Sequence, residues 1–585
     1  MDAPADKVAQ AVAETAPATR RASLPAPLLA WRDGLVPFAA LALLYLLPGL
    51  TGHDPWKQDE TYITDIVRHM LDTGDWTVPT MAGTPFMEKP PLFYWVAALC
   101  ATLFSPLLPL HDGARIATAI FNGGTCAALA WLGHRWWGRS HGRVSVLVLL
   151  SCLGMALHAH FMLTDVAMTT GFAVALCGLA LCLAQPAWGG LLLGTGVGIG
   201  FLGKGLLAPG VLGASALLLP LLFRRWRQAR YGRALAIACA ASAPWLLIWP
   251  AALLHRSPQL FTDWFWLNNI GRFVGFSVPL LGAEHSKWFW LTTLPWFAFP
   301  ALPLAALSLW RQRATALAAE PMQISLVLLA TLSAVLWLSA SARNNYALPL
   351  LLPLALMAAP AAARLPYLAD RSWSWLARTF WGAIGAILWG TWMWMMLHGA
   401  PPHLPVIERY LPSDFTPQFS AEALMAAAAL TVAPLLLARR LVRFAGRGLT
   451  DWFTGLATCW ALLACLWLSW IDAAKSYRAV FDAVSAALPA DYGCVAETGM
   501  GESELSMLSY YLGITAVPAD APRAAHCGVL LVEGRAAAPS PDLAGGRGAP
   551  AWEGARRGDS DERFWLYTPK KEATSPVRRT APGAM

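Results

Sequence analysis

A chain of 585 residues in which 57% are hydrophobic and only 13% charged, with a mean hydropathy of +0.47, is too apolar for a soluble globular protein, where about a quarter of residues carry charge. Composition therefore makes it an α-helical integral membrane protein, and its thirty Trp and twelve Tyr suit headgroup layers, where amphipathic rings gather. The formal charge of +8 fits the loop bias of such a protein better than nucleic-acid binding, and no nucleic-acid partner is expected.

Residues 1–33 are rich in Ala, Pro and charge, lack the apolar core of a signal peptide, and are expected to form a disordered cytoplasmic tail. A spanning helix needs about 20 mostly apolar residues. Such windows recur near 35–50, 115–133, 143–160, 165–184, 188–203, 206–223, 234–255, 288–309, 322–340, 346–364, 378–397, 421–438 and 453–471, which makes about thirteen spans within a membrane domain over 34–472. Basic stretches such as "GHRWWGRSHGR", "FRRWRQARYGR" and "ARRLVRFAGR" mark the cytoplasmic side, because short cytoplasmic loops accumulate Lys and Arg. With thirteen spans they all fall on that side. The N-terminus is then cytoplasmic, and the outer side receives 51–114, 256–287 and everything after about 472.

In the first outer loop, "DETYITDIVRHMLDTG" (59–74) places Ile63, Ile66, Val67, Met70 and Leu71 on one helical face, with Gly74 set to end the helix. The spacing predicts a helix lying flat on the membrane. Asp59 and Glu60 stand at its start, where the helix dipole favours ionised carboxylates, although two acids that merely cap a surface helix would look the same. Next, in "GTPFMEKPPLFYW" (83–95), the fixed φ angles of Pro90 and Pro91 hold Glu88 and Lys89 stiffly beside an apolar run. A Lys at a bilayer edge often only snorkels, but stiffness suggests a ligand. The run 92–104, with 13 apolar residues, is short for a span and is expected to be interfacial or re-entrant.

Further along, "HAHFMLTDVAM" puts Asp165 at the outer end of one span, "FLGKGLLAPG" puts Lys204 between two, and "SARNNYALPLLLP" puts Arg343 and Tyr346 at another outer end. Ionisable groups in or beside a membrane are costly and are functional candidates, though each could also be a satisfied interhelical pair. After 472, helix-like and strand-like runs alternate, which predicts a small soluble α/β domain over 473–572 on the outer side, with 573–585 disordered. Of ten cysteines only Cys494 and Cys527 lie in that domain, where an oxidising compartment would let them pair.

The ordered set "DE" at 59–60, "GDW" at 74–76, "EKPPLFYW" at 88–95, "TD" at 164–165, "GKG" at 203–205 and "Y-x-LP" from Tyr346 resembles the polyprenyl-phosphate-dependent glycosyltransferases. These are the integral-membrane relatives of protein O-mannosyltransferases and of bacterial lipid A aminoarabinose transferase, with the fold called GT-C. The resemblance covers roughly residues 30–475. It implies inverting transfer of a sugar from a polyprenyl-phosphate donor to a lipid, glycan or protein acceptor on the periplasmic face of a bacterial inner membrane.

By that resemblance Asp59 is the candidate base and Asp165 a second active-site acid. Lys89 contacts the donor phosphate; Arg272 or Arg343 adds a bidentate partner; Tyr346 contacts sugar or phosphate; and Glu60, Glu88 and Lys204 join the substrate-binding set. Two departures stand out. Tyr62 occupies the place where the aminoarabinose enzymes tend to carry Arg, and Asn269 the place where they tend to carry a metal-binding His. An amide is a poor ligand for zinc-like metals, so a divalent metal on Glu88, with His285 as a remote second ligand, is expected to be dispensable and no cofactor required. A transporter or flippase of a polyprenyl-linked glycan is the alternative from another class, without a clear inverted repeat in its favour.

Overall fold

The structure, a computed structural model, describes residues 34–281, 288–313, 315–535, 549–559 and 561–568. The two expected tails and His285 lie outside the described residues. Among those described, nine helices are long and apolar enough to cross a membrane, or ten if Phe289–Phe297 and Ala301–Arg311, bent by 87°, count as one. Pro300, which donates no N–H, sits at that bend. The other expected spans fall on shorter helices: Leu35–Leu46, Leu207–Leu222, and a pair, Arg139–Ser151 and Leu153–His158, separated by extended Cys152. The run at 92–104 is a 13-residue helix, Leu92–Phe104, about 20 Å long at 1.5 Å per residue and so shorter than a bilayer core.

One hairpin sets the frame for the site. Thr164–Leu181 and Pro186–Lys204 run antiparallel, the second opened by a proline at its first position. Their backbones approach so closely that a Cβ on Gly178 would stand 2.3 Å from the Leu193 nitrogen, and one on Gly196 2.4 Å from that of Ala175. Small residues that permit such contact are how helices adhere without a hydrophobic drive between them. The hairpin returns Lys204, the last residue of its second helix, to Asp165 in the first turn of its first.

The Asp59–Thr73 helix forms as the periodicity predicts and ends at Gly74, whose φ of +72° suits a residue without Cβ. Its apolar face, however, does not lie on lipid. Ile63, Ile66, Val67 and Met70 are fully buried against Phe86, Phe93, Tyr94 and Ala97, because the Leu92–Phe104 helix offers a complementary apolar surface.

The chain beyond 477 builds a five-stranded sheet. A two-stranded ribbon, β1 (Thr80–Met81) and β2 (Thr84–Pro85), lies in the first loop; the sheet contains β3 (Val495–Thr498), β4 (Val517–Pro518), β5 (Val529–Arg535), β6 (Trp552–Ala555) and β7 (Glu562–Tyr567), in the order β4-β3-β5-β7-β6. The β4-β3-β5 part is parallel and the β5-β7-β6 part antiparallel. Strand alternation divides the residues between faces: Val529, Leu531, Phe564 and Leu566 pack under the helices Arg478–Ala487 and Glu502–Leu512, while Leu530, Val532, Trp565 and Tyr567 face the other way. A disulfide joins Cys494 and Cys527 at the entrances of β3 and β5.

This α/β unit is clasped to the membrane helices. Arg68 donates to the Ser509 carbonyl and hydroxyl at 2.7 Å each, Arg478 pairs with Asp54 at 2.6 Å, and Lys57 bridges Glu504 at 2.7 Å and Glu562 at 2.9 Å. Tyr477 donates its hydroxyl to the same two carboxylates.

Glu533 completes a cluster with Glu504 and Glu562 in which carboxylate oxygens lie within 4.8 Å of one another. Burial first, then the charges of Glu504 and Glu562, push its carboxyl up to about 8 from 4.5. A carboxyl raised in the folded state contributes stability that is complete below its unfolded value and is lost as pH rises through the folded one. Glu533→Gln is therefore expected to raise the unfolding temperature by a margin that grows between pH 4.5 and 8 and levels off beyond; a margin independent of pH would contradict the coupling. Replacing Cys494 and Cys527 together by Ser frees a loop spanning 33 positions and should cost about 2–4 kcal/mol, seen as earlier proteolysis of this unit in a thermal series.

Candidate active site

Adjacent residues on a helix point about 100° apart, and this alone divides Asp59 from Glu60. Glu60 turns inward, 2% exposed, where Oε1 accepts from Arg115 Nε at 2.8 Å and from the Met162 N–H at 3.1 Å, and Oε2 accepts from the Trp56 N–H at 3.2 Å. Arg115, itself fully buried, also donates to Asp112 at 2.6 Å and to the Leu50 and His53 carbonyls. Expected to bind substrate, Glu60 lines the same polar cavity as Asp59, while its oxygens are taken up by protein groups that anchor the loop carrying Asp59.

Asp59 turns to the opposite side. Its carboxylate accepts from Lys89 Nζ at 3.1 Å and from the Tyr62 hydroxyl, which also contacts Lys89. Pro90 and Pro91 lead directly into the Leu92–Phe104 helix, so Lys89 is fixed by the start of a packed element. Burial alone would raise the Asp59 carboxyl, but the Lys89 ammonium, the Tyr62 hydroxyl and the Lys204 charge outweigh it and hold the group below its ordinary range. On Lys89 burial is likewise outweighed, by the charges of Asp59, Glu88 and Asp165, and its ammonium is held above its usual range.

Asp165, 0% exposed, accepts from Lys204 Nζ at 2.6 Å on both oxygens and from Asn345 Nδ2 at 3.0 Å. The carboxylate lies at a helix N-terminus and the ammonium at a helix C-terminus, so both macrodipoles favour the pair. Lys204 also stands 4.2 Å from the centre of the Tyr346 ring. Arg272 follows a π-helical turn, Asp263–Gly271, and its guanidinium meets Glu88. Asn269, in that turn, accepts the Leu206 N–H at 3.0 Å and donates to the Trp264 carbonyl at 2.9 Å, so it is occupied as a helix-end cap. Glu88 is thus held by a cation and not by a second metal-ligand type.

Two cavities meet at these charges. One, of about 310 Å³, is polar and lined by Asp59, His158, Arg343, Asn345 and Lys475. The other, of about 360 Å³, carries Glu88, Lys89, Lys204, Arg272 and Tyr346 at a wall that continues into Leu206, Leu207, Val211, Phe273 and Leu336. The structure therefore brings together Asp59, Glu88, Lys89, Asp165, Lys204, Arg272, Arg343 and Tyr346, drawn from across nearly 290 positions, with Glu60 on the wall of the polar cavity as well.

Four contributors escape sequence reasoning. Tyr62 is visible only as a departure from the family pattern, yet it links Asp59 to Lys89. Asn345 lies between two residues already singled out. Arg115 was legible as a lone cation at the head of an apolar window beside Asp112. Glu502 gives no local signal; it starts the helix Glu502–Leu512, exposed, with its carboxyl raised by the surrounding protein and then by the Glu88 charge, and lowered by Lys89, Arg272 and Arg343.

A family model described as dolichyl-phosphate-mannose-protein mannosyltransferase matches residues 88–249. An undecaprenyl phosphate-alpha-4-amino-4-deoxy-L-arabinose arabinosyl transferase of Pseudomonas fluorescens is 30% identical over 54% of this chain and 55% of its own length; one of Pseudomonas savastanoi is 32% identical over 57% and 61%, and one of Pseudomonas aeruginosa 33% over 54% and 57%. The chain thus spans little more than half the length of the curated relatives it matches. Crystal structures of ArnT from Cupriavidus metallidurans, bound to undecaprenyl phosphate and in the apo state, align with TM-scores of 0.64 and 0.63 at 17% identity, covering 91% and 92% of this chain and 97% and 98% of theirs. The fold is that of these solved transferases, and the resemblance to the polyprenyl-phosphate glycosyltransferases drawn from the motifs is borne out.

Removing Arg115 would strand two carboxylates, Glu60 at 2% and Asp112 at 4% exposure, and breaking such a buried pair costs about 3–5 kcal/mol. Arg115→Met is expected to lower the unfolding temperature in detergent substantially, and adding Glu60→Gln to recover part of the loss. An Arg115→Met protein that melts like the parent would remove Glu60 from its anchoring role.

Proposed function

We propose that this chain transfers a sugar from a polyprenyl-phosphate donor to an acceptor, by inverting displacement at the anomeric carbon. Support comes chiefly from one observation: a carboxylate, Asp59, and an ammonium, Lys89, meet at 3.1 Å where a polar cavity adjoins one with apolar walls. A polyprenyl-phosphate sugar is divided in the same way, with a charged and polar head on a hydrocarbon tail.

In this reading the donor phosphate enters the apolar-walled cavity and takes Lys89 as its counter-ion, with Arg272 and Arg343 able to supply bidentate contacts. Asp59, relieved of Lys89, then accepts the proton of the attacking hydroxyl as its oxygen bonds to the anomeric carbon. The bond from that carbon to the phosphate oxygen breaks, and polyprenyl phosphate departs with the electron pair, its growing charge met by Lys89. Asp165, locked between Lys204 and Asn345, keeps Lys204 aimed at the same cavity, beside Tyr346. Tyr62, a protonated donor to Asp59, steers the carboxylate. The step is written without a metal, and Glu88, the ligand expected for one, is paired with Arg272.

The same reading places the site on the periplasmic side of a bacterial inner membrane, with thirteen crossings, the Leu92–Phe104 helix at the interface, a cytoplasmic N-terminus and the α/β unit outside. The acceptor is a lipid, a glycan or a protein. Nothing in the two-cavity geometry favours the transporter alternative, since neither cavity requires a path through the bundle.

Asp59→Asn should bind a polyprenyl-phosphate donor about as well as the parent and transfer sugar at least roughly a hundredfold more slowly to a hydroxyl acceptor, the scale of general-base catalysis. Lys89→Met should lose donor binding as well. A phosphate acceptor, being already an anion, would show only a modest loss in Asp59→Asn. Normal transfer by both variants would end this assignment, and normal export of a lipid-linked glycan by Asp59→Asn without any transfer would favour the transporter.

A further inference from the structure

A larger cavity lies far from these charges. It has a volume of about 700 Å³ and is enclosed by the helices Tyr367–His398, Ala421–Ala445 and Arg447–Leu462. Arg378, Arg439 and Asp451 stand at one end of it, the end where these helices meet the basic stretches assigned to the cytoplasm. Arg378 is bonded to Asp451 at 2.8 Å, which leaves one net positive charge there, on an exposed Arg439 that makes no ion pair among the described residues. Away from that end the wall is apolar, and Leu435 at its lip is 55% exposed.

Two features distinguish this space from loose packing. Gly382 and Gly385 line it, yet a Cβ on the first would meet nothing within 4 Å and on the second only Leu462 at 4.0 Å. Unlike Gly178 and Gly196, they keep open a volume that no protein atom fills. Finally, a cationic mouth at a cytoplasmic helix end over an apolar slot matches an anionic headgroup on acyl chains.

We propose that this cavity binds an anionic glycerophospholipid of the cytoplasmic leaflet, its phosphate at Arg439 and one acyl chain along Gly382 and Gly385. The site is separate from the sugar-transfer centre, and it neither uses Asp59 nor depends on it.

Native mass spectrometry of the full chain in detergent, with phosphatidylglycerol and phosphatidylcholine of equal chain length, tests it. The parent should retain phosphatidylglycerol about fivefold better, the effect of one basic residue, and excess inorganic phosphate should not displace it. Arg439→Ala should bring the two lipids to equal retention while melting at the parental temperature. Gly385→Leu should reduce retention of both. Equal retention by the parent, an Arg439→Ala protein that keeps the preference, or displacement by a stoichiometric amount of polyprenyl phosphate would each overturn the proposal.

Discussion

A charge at the edge of hydrocarbon must find an opposite charge or leave, and the candidate site is organised by that constraint. Burial opposes charge on Asp59 and on Lys89, yet each holds the other ionised, and Asp165 and Lys204 form a second buried pair at 2.6 Å. Each pair is drawn from separate elements, so forming it also fixes where those elements sit. A phosphate arriving on a lipid tail is a competing anion for cations already held in place. It need not recruit them from solvent, and it does not pay the full entropy of ordering them.

The division of labour within the acidic pair shows how local geometry assigns function. Asp59 and Glu60 are chemically near-equivalent and adjacent, yet one helical step places Glu60 against buried Arg115 and Asp59 against Lys89. In the proposed reaction, anchoring and reactivity come from the same two-residue motif, with the inner acid making the outer one rigid. Lys57, two residues before, ties the same loop to Glu504 and Glu562 of the α/β unit.

Much of this was legible in the sequence, for physical reasons that also set the limits. Apolar windows report burial in lipid or protein equally well, so they marked the helices but could not say that the face of Ile63, Ile66 and Met70 would meet Phe93 and Tyr94 and not the bilayer. Isolated charges in apolar surroundings stood out because of their cost, which is why Lys89, Asp165, Lys204 and Arg343 were found. Pairing was not legible, since it depends on which ends the hairpins return: nothing local says that Lys204 closes on Asp165 or Arg272 on Glu88. Glu502 was invisible because only the packing of a whole unit brings it within electrostatic range of Glu88 and Lys89.

That last contribution bears on how the site is shared between its substrates. Glu88, Lys89, Asp165 and Lys204 all fall within 88–249, the stretch that the mannosyltransferase family model matches, and they line or support the apolar-walled cavity assigned to the donor. Asp59, Arg343 and Asn345 of the polar cavity lie outside that stretch, as does Glu502. A lipid phosphate presents the same chemistry to every enzyme that uses it, so its binding groups have reason to be common. An acceptor differs from one enzyme to the next, and the polar cavity is lined by Lys57, which clasps the α/β unit through Glu504 and Glu562. In the proposed reaction the donor is therefore read by the membrane helices, while the acceptor is read by the loop at Asp59 and the unit that holds it.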